Sequence, residues 1–416
     1  MELYYTFSVL IVLASLFAYL NVRFLKLPGT IGIMIIAMMV SVGIRLLGDQ
    51  FFPQTTQEFF QLIKEFDFTE ILMGAMLNFL LFAGALHVNI SDLKEHKWPI
   101  FTYATISVVL SAFIISGILF YVAPIFGITI PFIYCLLFGT LISPTDPIVV
   151  LGILKEAKVP KMIETKITGE SLFNDGVAVV MFAVVLKMAT DTSFEATFGS
   201  VSWLFLIEAG GGVLLGALLG ITASRVMKKI DDYKVTVLIT LAIVMGGFLI
   251  ASELHFSSPL AMVIAGLIIG NYGKKHSMNE TTRDYLGKFW ELIDEILNAI
   301  LFLFIGFELL VLPDLQHQLL LGIVTIFIGL LARTLSIFIP ASTILRKNTY
   351  SRGSLITMVW GGIRGGVSIA LVMSIPNSAG EIKDVLLEIT YIVVLFSIVV
   401  QGLTVGKVAK KVLKEE

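Results

Sequence analysis

Glu170, Ser171, Asn174 and Asp175 stand inside an otherwise apolar run. At about 100° per residue they project at about 0°, 100°, 40° and 140° around a helix, one polar sector on an apolar rod. Carboxylate, carbonyl and hydroxyl oxygens of this kind are hard ligands for a hard cation such as Na+, K+ or Li+. Hydrogen bonding between helices would account for Ser171 and Asn174. It accounts poorly for two carboxylates among the four.

A second constellation lies upstream. Pro144 and Pro147 bracket Thr145 and Asp146 in the middle of an apolar stretch. Each proline removes a backbone donor and clashes with the preceding turn, so this helix is expected to break there and leave free backbone groups around Asp146. A simple proline kink would explain the prolines without the carboxylate. Downstream, Arg333 is deep in an apolar run and needs a carboxylate partner. Arg364 is flanked by Gly361, Gly362, Gly365 and Gly366. So many glycines weaken a helix interior, which marks a second broken helix. Small-residue packing would explain some of these glycines but not the arginine.

The elements that carry these residues are membrane spans. The chain has 416 residues, 57% hydrophobic and 14% charged, against about a quarter charged in a soluble domain. A charged residue or helix breaker at mid-membrane depth is costly, which makes each one above a candidate functional residue. The net charge of −2 argues against a nucleic-acid partner. The single Cys135 excludes an intrachain disulfide and a thiolate metal cluster.

Apolar runs place 13 transmembrane helices at about 4–22, 29–48, 69–88, 98–122, 130–153, 166–189, 201–227, 234–252, 257–272, 286–312, 317–342, 351–376 and 385–408. The first is read as a span and not a cleaved leader, and no soluble domain is expected after the last. Most of the 29 Lys and Arg residues fall in alternate loops, among them Lys155, Lys158, Lys161 and Lys166, and Arg346, Lys347 and Arg352. The positive-inside rule then puts the N-terminus outside and the C-terminus in the cytoplasm.

With the helix at 201–227 as a connector, two six-helix halves remain. An odd connection makes them inverted repeats, and the interrupted helix is the fifth of each half. Matching interrupted helices in inverted halves are the mark of a secondary transporter with its site at the midplane. No Gly-rich Lys-Ser/Thr nucleotide motif occurs, so ATP is not the expected driver. No enzyme activity and no cofactor are expected.

Six stretches carry a family resemblance: SPTDPIVV (143–150), GESLFNDGVAVV (169–180), HFSSPLAMVIAGLIIGN (255–271), FWELIDEILNAILFLFIGFEL (289–309), LLAR (330–333) and WGGIRGGVSIAL (360–371). They resemble the monovalent cation/proton antiporter family, bacterial NhaP-like and animal sodium/proton exchangers. The resemblance implies an all-α fold with two crossed discontinuous helices, and a homodimer. A dimerisation part (about 1–95 and 234–312) would flank a moving core (about 98–190 and 317–408). It further implies that Asp175 carries the ion, assisted by Asp146, Thr145, Ser171 and Asn174. Glu170 would pair with Arg333, and Arg364 would sit at the helix crossing. Many NhaP-like members carry a third-span carboxylate after Leu-Leu-Phe, where this chain has Ala83 and Gly84.

The expected function is exchange of Na+ for H+ across the inner membrane of a bacterium, with Asp175 holding one or the other. Electrogenic relatives carry a second aspartate where this chain has Asn174, which points to one proton per cation. Potassium on the same fold, or a cation channel or sensor, are the alternatives. An intramembrane hydrolase using Ser171 or Ser368 would lack a histidine base nearby.

Overall fold

The computed structural model describes residues 2–48, 76–146, 150, 154, 159, 161–191, 193–194, 197–311, 315–345 and 351–414, and among these there are helices and no strands. Pro147, most of the far half of the fifth span, Lys155, Lys158, Arg346, Lys347 and the start of the third span lie outside the described residues.

Helices α1 (Glu2–Leu20) and α2 (Gly29–Gly43) each run on into a π turn. Next come α3 (Leu77–His87), the short α4 (Ile90–Glu95), α5 (Lys97–Ala104), α6 (Ile106–Val122) and α7 (Phe132–Ile142). Two long rods follow, α8 (Lys161–Thr190) and α9 (Phe198–Met227). After them are α10 (Tyr233–Glu253), α11 (Ser258–Ile268), α12 (Glu280–Val311) and α13 (Leu315–Thr343). The chain ends with α14 (Arg352–Trp360), α15 (Gly366–Met373), α16 (Glu381–Phe396), a π turn at Ser397–Gln401 and α17 (Gly402–Lys414). Among the described residues, eight helices are long and apolar enough to cross a membrane.

Side-chain caps set several of the starts. Thr197 and Ser200 form a reciprocal capping box at α9. Asp232, Ser257 and Ser351 accept from the first-turn amides of α10, α11 and α14.

Two groups of helices emerge from the packing. In one, α12 lies along α2 and α3, and α11 lies between α3 and α9. Backbones approach closely here: a Cβ on Gly306 would stand 2.8 Å from the Met34 carbonyl, and one on Gly266 2.8 Å from that of Phe82. Lipid offers no hydrophobic drive between helices, so small residues and tight contact carry the association. In the other group, α6, α7, α13, α15 and α16 enclose Leu137, Phe138, Leu141, Leu371 and Ile389. α8 touches both groups, through α7 on one side and α11 on the other.

Two expectations need correction. Helices run past the apolar stretches: α8 begins at Lys161 and α12 at Glu280, ahead of the expected starts at about 166 and 286, so Lys161 and Lys166 are helical and not loop residues. Hydropathy marks the thickness of the bilayer, whereas a helix continues into water wherever its backbone is satisfied. Lys166 is also not a solvated loop charge, being only 2% exposed.

Candidate functional site

Two interrupted helices meet at the centre. α7 ends at Ile142, and Ser143 to Asp146 run on as non-helical chain. α14 ends at Trp360 and α15 resumes at Gly366. The two breaks touch each other. The Asp146 amide donates to the Ile363 carbonyl at 2.7 Å, and Ser368 Oγ donates to the Leu141 carbonyl at 2.7 Å.

Charges complement the exposed helix ends. The Arg364 guanidinium donates to the carbonyls of Ser143 and Pro144, just past the C-terminus of α7. That end carries the negative pole of a helix dipole, where a cation is stabilising. Asp146 does the converse. Its carboxylate packs so closely on Gly365, the N-cap of α15, that a Cβ there would collide with it. An anion at a helix N-terminus is favoured in the same way.

The π turn after α16 serves the second break. Ser397 Oγ accepts from the Arg364 amide at 2.8 Å and donates to Gln401 Oε1 at 2.6 Å. Gln401 Nε2 donates to the Trp360 carbonyl at 3.1 Å, so groups freed by the unwinding are satisfied from a neighbour. Neither Ser397 nor Gln401 is singled out by the sequence reading. Their signal was a hydroxyl and an amide inside the apolar run of the last span.

The polar sector of α8 divides its work. Glu170 forms a buried ion pair with Arg333 of α13, which also donates to the Met358 carbonyl at 3.2 Å. Asn174 Nδ2 donates to Thr145 Oγ1 at 2.9 Å, and the hydroxyls of Thr145 and Ser171 lie 2.9 Å apart. Asp175 is 5% exposed, and its carboxylate has no hydrogen-bond or ion-pair partner among the described residues. It lies within electrostatic reach of Asp146. Gly176, the next residue, packs on Leu260 of α11, so Asp175 sits beside the seam between the two helix groups.

All eight residues singled out by sequence are thus buried around one crossing: Thr145, Asp146, Glu170, Ser171, Asn174, Asp175, Arg333 and Arg364. Asp175 follows Asn174 in α8 and is a buried carboxylate with no hydrogen-bond or ion-pair partner among the described residues. The set offers a dehydrated monovalent cation hard ligands, or offers a proton one basic site. The Ser171 hydroxyl lies 2.9 Å from that of Thr145, and Ser368 donates to the Leu141 carbonyl at 2.7 Å, so both serines are engaged in the hydrogen bonding of the crossing.

A family model described as sodium/hydrogen exchanger, transmembrane, matches residues 11–411. The chain is 47% identical over 407 residues to the Na(+)/H(+) antiporter NhaP of Pseudomonas aeruginosa, spanning 97% of this chain and 95% of that one. It is 32% identical over 393 residues to the Na(+)/H(+) antiporter NhaH of Halobacillus dabanensis, spanning 94% and 93%. Its fold matches that of the sodium proton antiporter MjNhaP1 from Methanocaldococcus jannaschii with a TM-score of 0.78 and 21% identity, over 99% of this chain and 100% of that one.

Proposed function

The chain belongs to the sodium/hydrogen exchanger family, and on that premise we propose that it exchanges Na+ for H+ across a membrane, with Asp175 holding each in turn. The observation that carries this reading is the state of Asp175: buried, uncommitted, and next to the Thr145–Ser171–Asn174 group. A bare carboxylate out of water is costly, so the site favours occupation by one cation or one proton. The competing carboxylate on the same helix, Glu170, is held by Arg333. The relatives are named for sodium, which favours Na+ over K+ as cargo.

Coupling follows from exclusivity. Asp175 stands beside the seam where α8 meets α11. A shift of the group carrying α7, α8, α13 and α15 against the group carrying α2, α3, α11 and α12 would open the site to one side and then the other. Only the neutralised site would cross, since an empty carboxylate would be carried through an apolar seam. Asn174 brings no second charge, so one proton per sodium ion leaves the cycle electroneutral. The first group is the moving core and the second the dimerisation side of a homodimer in a bacterial inner membrane. The N-terminus is placed outside and the C-terminus in the cytoplasm.

The test uses proteoliposomes with an imposed Na+ gradient and a pH-sensitive dye inside. Wild type is expected to alkalinise or acidify the lumen according to gradient direction, and Asp175→Asn to do neither. A mutant exchanging as fast as wild type would sink the assignment of Asp175.

A further inference from the structure

The exchange cycle leaves one deeply buried carboxyl group unused. Glu308 lies near the end of α12 and is 3% exposed, with no hydrogen-bond or ion-pair partner among the described residues. Residues 300–308 are all buried, whereas Glu291, Leu292, Glu295 and Ile296 nearer the start of α12 are exposed. The helix is thus covered on every side toward its end and not toward its start. Leu301 packs against Gly366 at the first turn of α15, which marks the level of the crossing. Glu308 is seven residues farther on, about 10 Å along the helix axis.

A hydrogen bond between the two helix groups lies on the same face. Tyr391 of α16 is buried and donates its hydroxyl to the Ile305 carbonyl of α12 at 3.1 Å. Ile305 precedes Glu308 by three residues. Helical side chains lean toward the N-terminus, so the carboxyl group lies over the turn that the tyrosine reaches. On another side α12 is fixed within its own group: Ser41 Oγ of α2 donates to the Gly306 carbonyl at 3.0 Å. Tyr391 therefore joins the group proposed to move to the group proposed to stay.

Few other ionisable groups face this stretch. Arg45, exposed in the π turn after α2, reaches the Leu309 carbonyl at 3.5 Å. Glu388 is buried on α16, one turn before Tyr391. α1 has Glu2, Tyr4 and Tyr5 in its first turn and Tyr19 near its last. α3 and α10 carry ionisable residues only at their ends, α15 has none, and α12 itself has no other after Glu295.

A carboxylate held out of water without a partner is costly, so Glu308 is neutral while this end is closed. We propose that Glu308 is a second proton site, on the helix group facing the one that carries Asp175. It keeps its proton while Tyr391 closes the outer end of the seam. When the core moves away, water enters, the O–H bond breaks, and the proton passes to outside water, leaving a hydrated carboxylate. Closing takes one proton back from the same face, so the exchange of one Na+ for one H+ is unchanged. Acid outside holds this end shut and alkali frees it. The site presupposes the exchange cycle and the orientation proposed above.

The test measures the KM for Na+ on each face of proteoliposomes against the pH of that face, with the other face held constant. On the face opposite the C-terminal tail, Asp175 and Glu308 must both lose a proton before Na+ is held. The wild-type KM there is expected to rise by up to about a hundredfold per unit of acidification, against about tenfold on the tail face, where only Asp175 is emptied. Glu308→Gln keeps the shape and neutrality of the buried acid but has no proton to give. It is expected to keep the wild-type melting temperature and to bring the steep face down to about tenfold per unit. Glu308→Asp is expected to retain the steep dependence. Tyr391→Phe is expected to lower the KM on that face about fivefold, the effect of one net hydrogen bond that no longer opposes opening. Equal slopes on the two faces of wild type overturn the site, and this comparison decides alone if Glu308→Gln fails to fold. A Glu308→Gln variant that keeps the steep slope, or a Tyr391→Phe variant with wild-type KM, overturns it as well. Exchange itself survives each of those results. An Asp175→Asn variant that still exchanges would strike the underlying cycle instead.

Discussion

Asn174 donates its side-chain Nδ2 to the Thr145 hydroxyl at 2.9 Å and so ties the long helix α8 to the broken chain beside Asp146. The amide fixes Thr145, a ligand in the proposed site, and adds no charge, which an aspartate at this position could not do. Asn174→Ala is expected to raise the KM for Na+ about fivefold, the equivalent of one net hydrogen bond of about 1 kcal/mol. Initial-rate measurements in proteoliposomes check this. In wild type, clamping the membrane potential with valinomycin and K+ should leave the rate unchanged. A strongly voltage-dependent rate would rule out one-for-one exchange.

Glu170 and Arg333 are both buried and paired. Removing one partner strands the other in a medium that cannot solvate it. Glu170→Gln is expected to cost about 3–5 kcal/mol of stability, seen as a lowered melting temperature in detergent. The double variant Glu170→Leu with Arg333→Met should recover a large part of that loss, because no charge is left unmatched. If the double variant melts lower than Glu170→Gln, the pair does more than neutralise itself.

Gly365 has no room for a side chain, because the Asp146 carboxylate occupies that space. Gly365→Ala should push Asp146 from the N-terminus of α15 and lower the exchange rate on the order of a hundredfold, as small misplacements at a reacting centre can do. Gly287 in α12 has nothing within 4 Å of the point where a Cβ would stand, and it provides the control. Gly287→Ala should leave transport intact and hold or slightly raise the melting temperature. Equal transport by both variants would show that the contact between Asp146 and Gly365 is dispensable.

Proton and sodium ion compete for one carboxylate in the proposed cycle. Lowering the pH on both sides of the membrane protonates Asp175 and excludes Na+. The apparent KM for Na+ should therefore rise as pH falls, while the rate at saturating Na+ changes much less. A KM independent of pH, with a maximal rate that collapses in acid, would place the proton on a different group.

Much of the site was legible because membrane chemistry makes polar residues conspicuous. Asp146, Glu170, Asp175, Arg333 and Arg364 stand out from apolar runs by charge alone, and the prolines and glycines beside them mark the broken helices. Sequence periodicity could not show how the α8 sector divides. Glu170 and Asn174 are neighbours on the helix wheel, yet one turns to Arg333 and the other to Thr145. That choice depends on which helix stands opposite. Ser397 and Gln401 escaped notice because hydroxyls and amides are common in spans as ordinary packing groups. Lys166 was misplaced because its charge suggested water, whereas the helix that carries it continues inward from its polar end.

The π turn at Ser397–Gln401 has one more effect, on the phase of everything after it. α17 presents Val405 and Ala409 to the interior and Lys407, Lys410, Lys411 and Lys414 to the outside. A single residue shifts helical phase by about 100°. Deleting one residue within 397–401 would turn the tail by that angle, driving lysines toward the core and leaving Val405 and Ala409 uncovered. The extra residue that lets Ser397 and Gln401 reach the broken helix thus also sets which way the end of the chain faces.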